Sequence, residues 1–324
     1  MGPAMTGKTT RRTAPLKIWS VLLASLALVG ALGAWLTFGR DTAAPCNGLP
    51  EDGRVQKSVG ADVHPGMSCA ALGQAIVKAT AAEQGRHSQE QAQAVKDVFF
   101  SPGLGYTKNL RIDAALRVPL ATVLADFADD THELLAGLDS QYVVKGDPDD
   151  GPWETSGTYH LAVDNLVFRN VVHAVSGDPQ AYAILRLAET RYVAQQLAAV
   201  PGDATEGALS LTPTKNARAL GILDGVADTF ARDQAWRTAV RDRLLREPTT
   251  QGSYQEDPAA YLTATWLQGL RNTPEAELAN RLRTQGVDIA RTWTQERNTD
   301  EFTRQALLAE VDRSALSAYR EAKS

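Results

Sequence analysis

The sequence predicts an all-α protein: a single N-terminal transmembrane helix followed by a multi-helix extracytoplasmic domain. Three observations predict it. Ile18–Phe38 is a run of 21 residues without a charge. Beyond it, apolar residues recur at helical spacing through most of the chain. Helix-start signals are dense, and stretches that alternate with period two are few.

The first 17 residues carry Lys8, Arg11, Arg12 and Lys17 and no acid, so +4 against −5 for the whole chain, which leaves −9 for the rest. Basic residues before an apolar run hold that side in the cytoplasm. At 1.5 Å per residue, the run spans a hydrocarbon core about 30 Å thick. Trp19 lies at one end and Trp35 and Phe38 at the other, where aromatic belts form. The organisation read from this is a cytoplasmic tail (1–17), a transmembrane helix through the lipid bilayer (18–38), a juxtamembrane linker (39–66) and a helical extracytoplasmic domain (67–324). A sub-boundary falls in the polar stretch 139–157. Cleavage as a signal peptide, near Ala31–Ala34 or Ala43–Ala44, is the alternative and would release the domain. Arg11-Arg12 suggests a twin-arginine signal, but Pro15 spoils its context. The excess of Arg over Lys and the abundant Ala suggest the coding bias of a high-GC bacterium.

The two cysteines, Cys46 and Cys69, both follow the apolar run. In an oxidising compartment they would pair, adding roughly 3 kcal/mol on the chain-entropy account. The bridge would tie the juxtamembrane segment to the first soluble helix.

That helix is expected over Ser68–Gln84, capped by Ser68. The next, Gln89–Phe100, opens on the capping box Ser88/Gln91. A long helix over Ala114–Leu138 carries the stripe Leu116, Leu120, Val123, Leu124, Phe127, Leu134, Leu135 and Leu138. Gln141–Lys145 is the best strand candidate. Helices are then expected over Thr158–Val175, Pro179–Val200, Pro213–Arg246 (bent near Gly221 or Gly225), Pro258–Arg271, Pro274–Arg297 and Asp300–Ala322. Four of these starts pair a capping side chain with Pro at the first helical position: Asp178-Pro179, Thr212-Pro213, Asp257-Pro258 and Thr273-Pro274. Trp236, Trp266 and Trp293 fall inside helical patterns and read as core.

Few motifs carry chemistry. Gly2-Pro3-Ala4-Met5-Thr6-Gly7-Lys8-Thr9 fits the phosphate-binding loop, but no strand can precede it and a basic tail and membrane helix follow, so no nucleotide is expected. The myristoylation pattern of Met1-Gly2 with Thr6 is spoiled by Pro3. A net-acidic domain is a poor partner for nucleic acid. There is no Gly-x-Ser-x-Gly, and the Asp147–Asp150 loop lacks calcium-loop spacing and reads as a turn. Asp126, Asp129, Asp130 and Glu133 fall at i, i+3, i+4 and i+7 of one helix, with His132 beside them. His160 and Asp164 form an i, i+4 pair on the next helix, with His173 further along. A metal held by Asp126, Asp130, His132, His160 and Asp164 would imitate a helical-bundle site. The plainer reading makes these acids a solvated face opposite the apolar stripe.

Several stretches carry a resemblance. They are Leu120-Ala121-Thr122-Val123-Leu124-Ala125-Asp126 with Asp130-Thr131-His132, then Asp178-Pro179-Gln180-Ala181-Tyr182, then Ala219-Leu220-Gly221-Ile222-Leu223-Asp224-Gly225. Over roughly 113–234 the chain resembles a helical region of actinobacterial proteins associated with WXG-type (type VII) secretion and polymorphic toxins. The resemblance implies a helical interaction module and transfers no catalytic residue. Here, unlike there, the region follows a membrane anchor.

The leading expectation is a non-enzymatic, membrane-tethered module at the outer face of a bacterial membrane. It needs no cofactor and binds a protein of an envelope or secretion process. A metal-dependent hydrolase and an immunity-type protein that neutralises a toxin are the alternatives.

Overall fold

The computed structural model describes residues 45–324 apart from 84, 108, 249–251 and 324. The basic tail, the apolar run 18–38 and the Gly2–Thr9 motif lie outside the described residues. Among the described residues no helix is long and apolar enough to cross a membrane. These residues carry fifteen α-helices and one two-stranded hairpin, the all-α class expected, around one continuous apolar core.

The described part of the linker read over 39–66 is structured. It holds a 3-10 segment, Pro45–Glu51, kinked by left-handed residues at Cys46–Gly48, and a helix, α1 (Gly53–Val59). The Asp52 carboxylate caps α1 by accepting from the Arg54 N–H at 2.8 Å. Val55 and Val59, four residues apart, share its buried face, and Leu49 is also buried. Cys46 and Cys69 form the expected disulfide. It joins the 3-10 segment to the first residue of α2 (Cys69–Thr80), whose N-cap is Ser68 as read. The capping box opens α3 (Gln89–Phe99), also as read.

The long helix expected over 114–138 is two helices, α4 (Ala114–Asp126) and α5 (Ala128–Ala136). Phe127 breaks it at φ −90°, ψ 49°. Three contacts hold the break. The buried Phe127 ring stacks on His87 with centroids 3.5 Å apart. Asp126 Oδ2 accepts from the Ala82 N–H at 2.8 Å and meets His87 Nε2 at 3.1 Å. The Thr131 hydroxyl donates to the Leu124 carbonyl at 2.7 Å, beside the break in the helical ladder.

Two further expectations are corrected in the next segment. The strand candidate 141–145 is a short helix, α6 (Ser140–Val144), capped by Asp139. The start of the helix expected at Thr158 is instead a hairpin, β1 (Trp153–Thr155) with β2 (Thr158–His160), registering Trp153 with His160. Its turn is Ser156-Gly157 at φ 55° and 82°, the left-handed pair that a tight hairpin turn demands. Aromatic and Thr side chains on both arms favour strand. Helix resumes only at α7 (Asn165–Ser176), capped by Asp164. The loop before the hairpin is clasped from below. The buried Lys96 ammonium donates to the carbonyls of Lys145 at 2.9 Å and Asp150 at 2.6 Å.

The C-terminal half is built on α8 (Pro179–Ala198), which packs against α4, α5 and α7 and four later helices. Those are α9 (Glu206–Val226), α11 (Gln234–Leu244), α12 (Pro258–Arg271) and α14 (Gln285–Glu296). Contact on several sides buries two charges on α8, Arg186 and Glu189. Arg186 bonds the Asp224 carboxylate, the Tyr182 hydroxyl and the Leu282 carbonyl. Trp236, Trp266 and Trp293 are buried, as read.

Asp178-Pro179 and Asp257-Pro258 start helices as expected, each Asp accepting backbone N–H groups of the first turn. Thr212-Pro213 and Thr273-Pro274 do not. Pro213 lies inside α9 (Glu206–Val226), which begins two turns earlier, with Leu209 packed into the core. Pro274 is extended, at ψ 147°, before a 3-10 turn, Glu275–Glu277, and α13 (Leu278–Arg283). After α9 the chain turns through α10 (Asp228–Ala231). The glycines of α9 therefore do not bend a longer helix. They let α15 (Glu301–Lys323) lie against it: Gly221 faces the Ala315 backbone, and a Cβ on Gly225 would sit 2.6 Å from the Tyr319 carbonyl oxygen. The Ser314 hydroxyl donates to the Thr214 carbonyl at 2.9 Å along the same seam.

Candidate functional site

The five residues proposed as metal ligands are scattered. Asp126 is spent on Ala82 and His87. Asp164 caps α7 through the N–H groups of Leu166 and Val167. His132 pairs with Glu189 at 3.0 Å, both 1% exposed. His173 bonds the Val226 carbonyl at 2.6 Å. Only Asp130 and His160 meet, at 2.8 Å, with Asp129 Oδ2 at 3.6 Å from the same imidazole nitrogen. Nor do these acids all share a solvated face: Asp130 is buried, as is His132 beside it, while Asp126, Asp129 and Glu133 are half-buried. The break at Phe127 redirects α5, which packs against both α8 and α9.

Around Asp130 the bonding is nearly saturated. Its Oδ1 accepts from the Tyr142 hydroxyl at 2.5 Å and faces His160 Nδ1, and its Oδ2 accepts from the Leu161 N–H at 3.2 Å. Trp153 covers the cluster, stacked on His160 at 5.6 Å and edge-on to Tyr142 at 5.0 Å. One carboxylate thus joins α5, α6 and the hairpin. Asp129, Asp130 and His160 each offer a ligand atom within 4.8 Å of the others. A cation there would have to displace the imidazole proton from Asp130.

The electrostatics fit a charged clasp. The Asp130 hydrogen bond lifts the His160 imidazole above its ordinary range, against partial burial, and the charges of Asp130, Asp129 and Glu133 add to the lift. Burial raises the Asp130 carboxyl, against its bonds to His160 and Tyr142. A His raised on folding contributes stability that is complete below its unfolded pKa of about 6.5 and is lost as pH rises through the folded value. Thermal unfolding followed from about pH 6 to about pH 9 should therefore show declining stability, and His160→Gln should flatten the decline. An unchanged slope in His160→Gln would remove this role.

Beside Tyr142 opens a cleft of about 270 Å³. Its walls include Tyr106, Val143, Val144 and Gly146, and four carboxylates line it: Glu133, Asp139, Asp147 and Asp164. α6 has five residues and buries only Tyr142, so Val143 and Val144 stand 71% and 72% exposed. Tyr106 at the rim is 60% exposed. Leu138 and Leu166, both exposed, adjoin the lining residues Gly137 and Asn165 in sequence. Only two other large apolar side chains are comparably open among the described residues, Leu211 and Phe302.

No family model, curated protein or solved structure matches this chain.

A larger cleft of about 580 Å³ lies where α12, α13 and α14 meet. Asp288 is already engaged there by Arg281 at 3.0 Å and Arg291 at 2.8 Å. It has no apolar rim of comparable exposure. The smaller cleft is the better candidate because it combines exposed apolar area with unspent charge. Periodicity gave no sign of it: Val143-Val144 reads equally well as part of a strand.

Proposed function

We propose that this chain is a membrane-tethered binding module at the outer face of a bacterial membrane. Residues 18–38 anchor it, the basic tail stays inside, and the acidic helical domain meets a protein partner of an envelope or secretion process. The observation that carries the binding role is the cluster of exposed apolar side chains around the α6 cleft. Such a cluster with a polar surround marks an interaction surface more often than a bare surface. The Cys46–Cys69 bridge supports an oxidising compartment, as do the charges flanking the apolar run. The resemblance to the WXG-associated helical region supports an interaction role. An immunity-type protein would use the same surface with a toxin as partner. The hydrolase reading is the weaker, because two of its five residues converge and both are occupied with each other.

Two measurements test this reading on the full chain in bacterial membranes. An impermeant thiol reagent, applied to intact spheroplasts after reduction, should label Cys69, which is half-exposed; labelling only after lysis would invert the topology. A photo-crosslinking amino acid at Val143 should give one adduct with an extracytoplasmic protein, lost on Val144→Asp. No adduct at Val143 or Tyr106 would overturn the binding role.

A further inference from the structure

Resting on that reading, we propose that the α6 cleft receives a partner segment carrying an apolar side chain flanked by Lys or Arg. Size is the first constraint. At about 270 Å³ the cleft falls below the usual range for small-molecule sites, roughly 300–1,000 Å³. It suits one or two side chains of a peptide, and the adjoining Val143, Val144 and Tyr106 extend the apolar contact outside it.

Charge is the second. Among the described residues that line the cleft there are four carboxylates and no base. Lys215 neutralises Glu133 at 2.5 Å. Asp139 and Asp164 each commit one oxygen to a helix cap, and among the described residues Asp147 shares only a longer-range attraction with the buried Lys96 ammonium, which is itself bonded to two backbone carbonyls. Lys145 is next to Val144 in sequence but does not line the cleft. The N-termini of α6 and α7 oppose this charge with about half a unit each at most. Three unpaired carboxylates outweigh them, so a cation is favoured.

The rim is the third. Tyr106, Asp147 and Asp164 line the same cleft, and partial desolvation of the phenol, followed by these two charges, raises its pKa. An aromatic face beside carboxylates is a good seat for a guanidinium or ammonium group. A membrane surface fits worse, since anionic headgroups would meet these same carboxylates.

The test uses the full chain in nanodiscs of neutral lipid and a fluorescein-labelled Gly-Lys-Leu-Leu-Arg-Gly peptide. Saturable binding is expected, weakened about tenfold by Asp147→Lys and by Val144→Ser, which is about 1.4 kcal/mol each. Neither side chain is buried, so circular dichroism should be unchanged. Raising the salt should weaken binding. Equal affinity for a peptide with Glu at both basic positions would overturn the proposal, as would indifference to Asp147→Lys. Tighter association with anionic vesicles than with the peptide would identify a lipid surface instead and also overturn it. A Val143 adduct without binding of the basic peptide would sink this inference and leave the binding role standing. Peptide binding without any adduct would uphold the cleft's chemistry and overturn the extracytoplasmic protein as its occupant.

Discussion

Asp224→Ala should destabilise the fold by about 3–5 kcal/mol, the usual effect of leaving one member of a buried ion pair alone. Arg186 is fully buried on α8, and among the described residues Asp224 on α9 is its only charged partner. Removing that carboxylate leaves a guanidinium in the core with one hydroxyl and one carbonyl to face. The Tyr182 hydroxyl also loses its acceptor, at 3.0 Å. Denaturant unfolding measures the loss. Asp242→Ala is the reference: that carboxylate is 53% exposed and pairs with its neighbour Arg241, so its removal should shift stability by no more than about 1 kcal/mol. If the two variants lose equal stability, the buried pair is not what holds α8 to α9. A double variant, Arg186→Met with Asp224→Leu, should recover most of the loss, because apolar side chains of similar volume substitute well for a buried pair.

Gly221→Ala should destabilise by about 1–3 kcal/mol, the range for overpacking a close contact. Two effects compete. Ala favours a helix over Gly by about 1 kcal/mol. A methyl group at Gly221, however, would press on the Ala315 carbonyl and Cα, which belong to the backbone and cannot rotate away. The clash should win, and Gly225→Ala should behave alike through the Tyr319 carbonyl. Gly207, in the first turn of the same helix, has no atom within 4 Å of a Cβ placed there. Gly207→Ala should therefore be neutral or gain up to about 1 kcal/mol. Unfolding midpoints of the three variants decide between propensity and contact. A gain in Gly221→Ala would mean that α9 and α15 can move apart freely.

The helical class was legible because caps and apolar spacing are local. Ser68, the Ser88/Gln91 box, Asp178 and Asp257 act within one turn, and each sits where it was read. The errors arise where a distant contact decides. Phe127 continues a helical stripe in sequence; His87, forty residues earlier, fixes the break there. The hairpin was legible in principle, since Ser156-Gly157 is a turn dipeptide between aromatic and Thr side chains, but the helical run after it masked the signal. Asp130 and His160 could be picked out by residue type, yet the Tyr142 hydroxyl that donates to the same Asp130 oxygen lies inside a segment read as strand. Charge spacing on a helix cannot tell an acid facing water from one facing a histidine on another element.

The disulfide also decides how the domain responds to pulling. Tension entering through the residues before Cys46 passes across the bridge to Cys69 and into α2. The 3-10 segment beyond Cys46 and the whole of α1 lie inside the closed loop and bear none of it. With the bridge intact, extension can gain no length from these residues, and the first element strained is one packed against α3 and α4. After reduction the same pull would reach Leu49 and Val55 before α2.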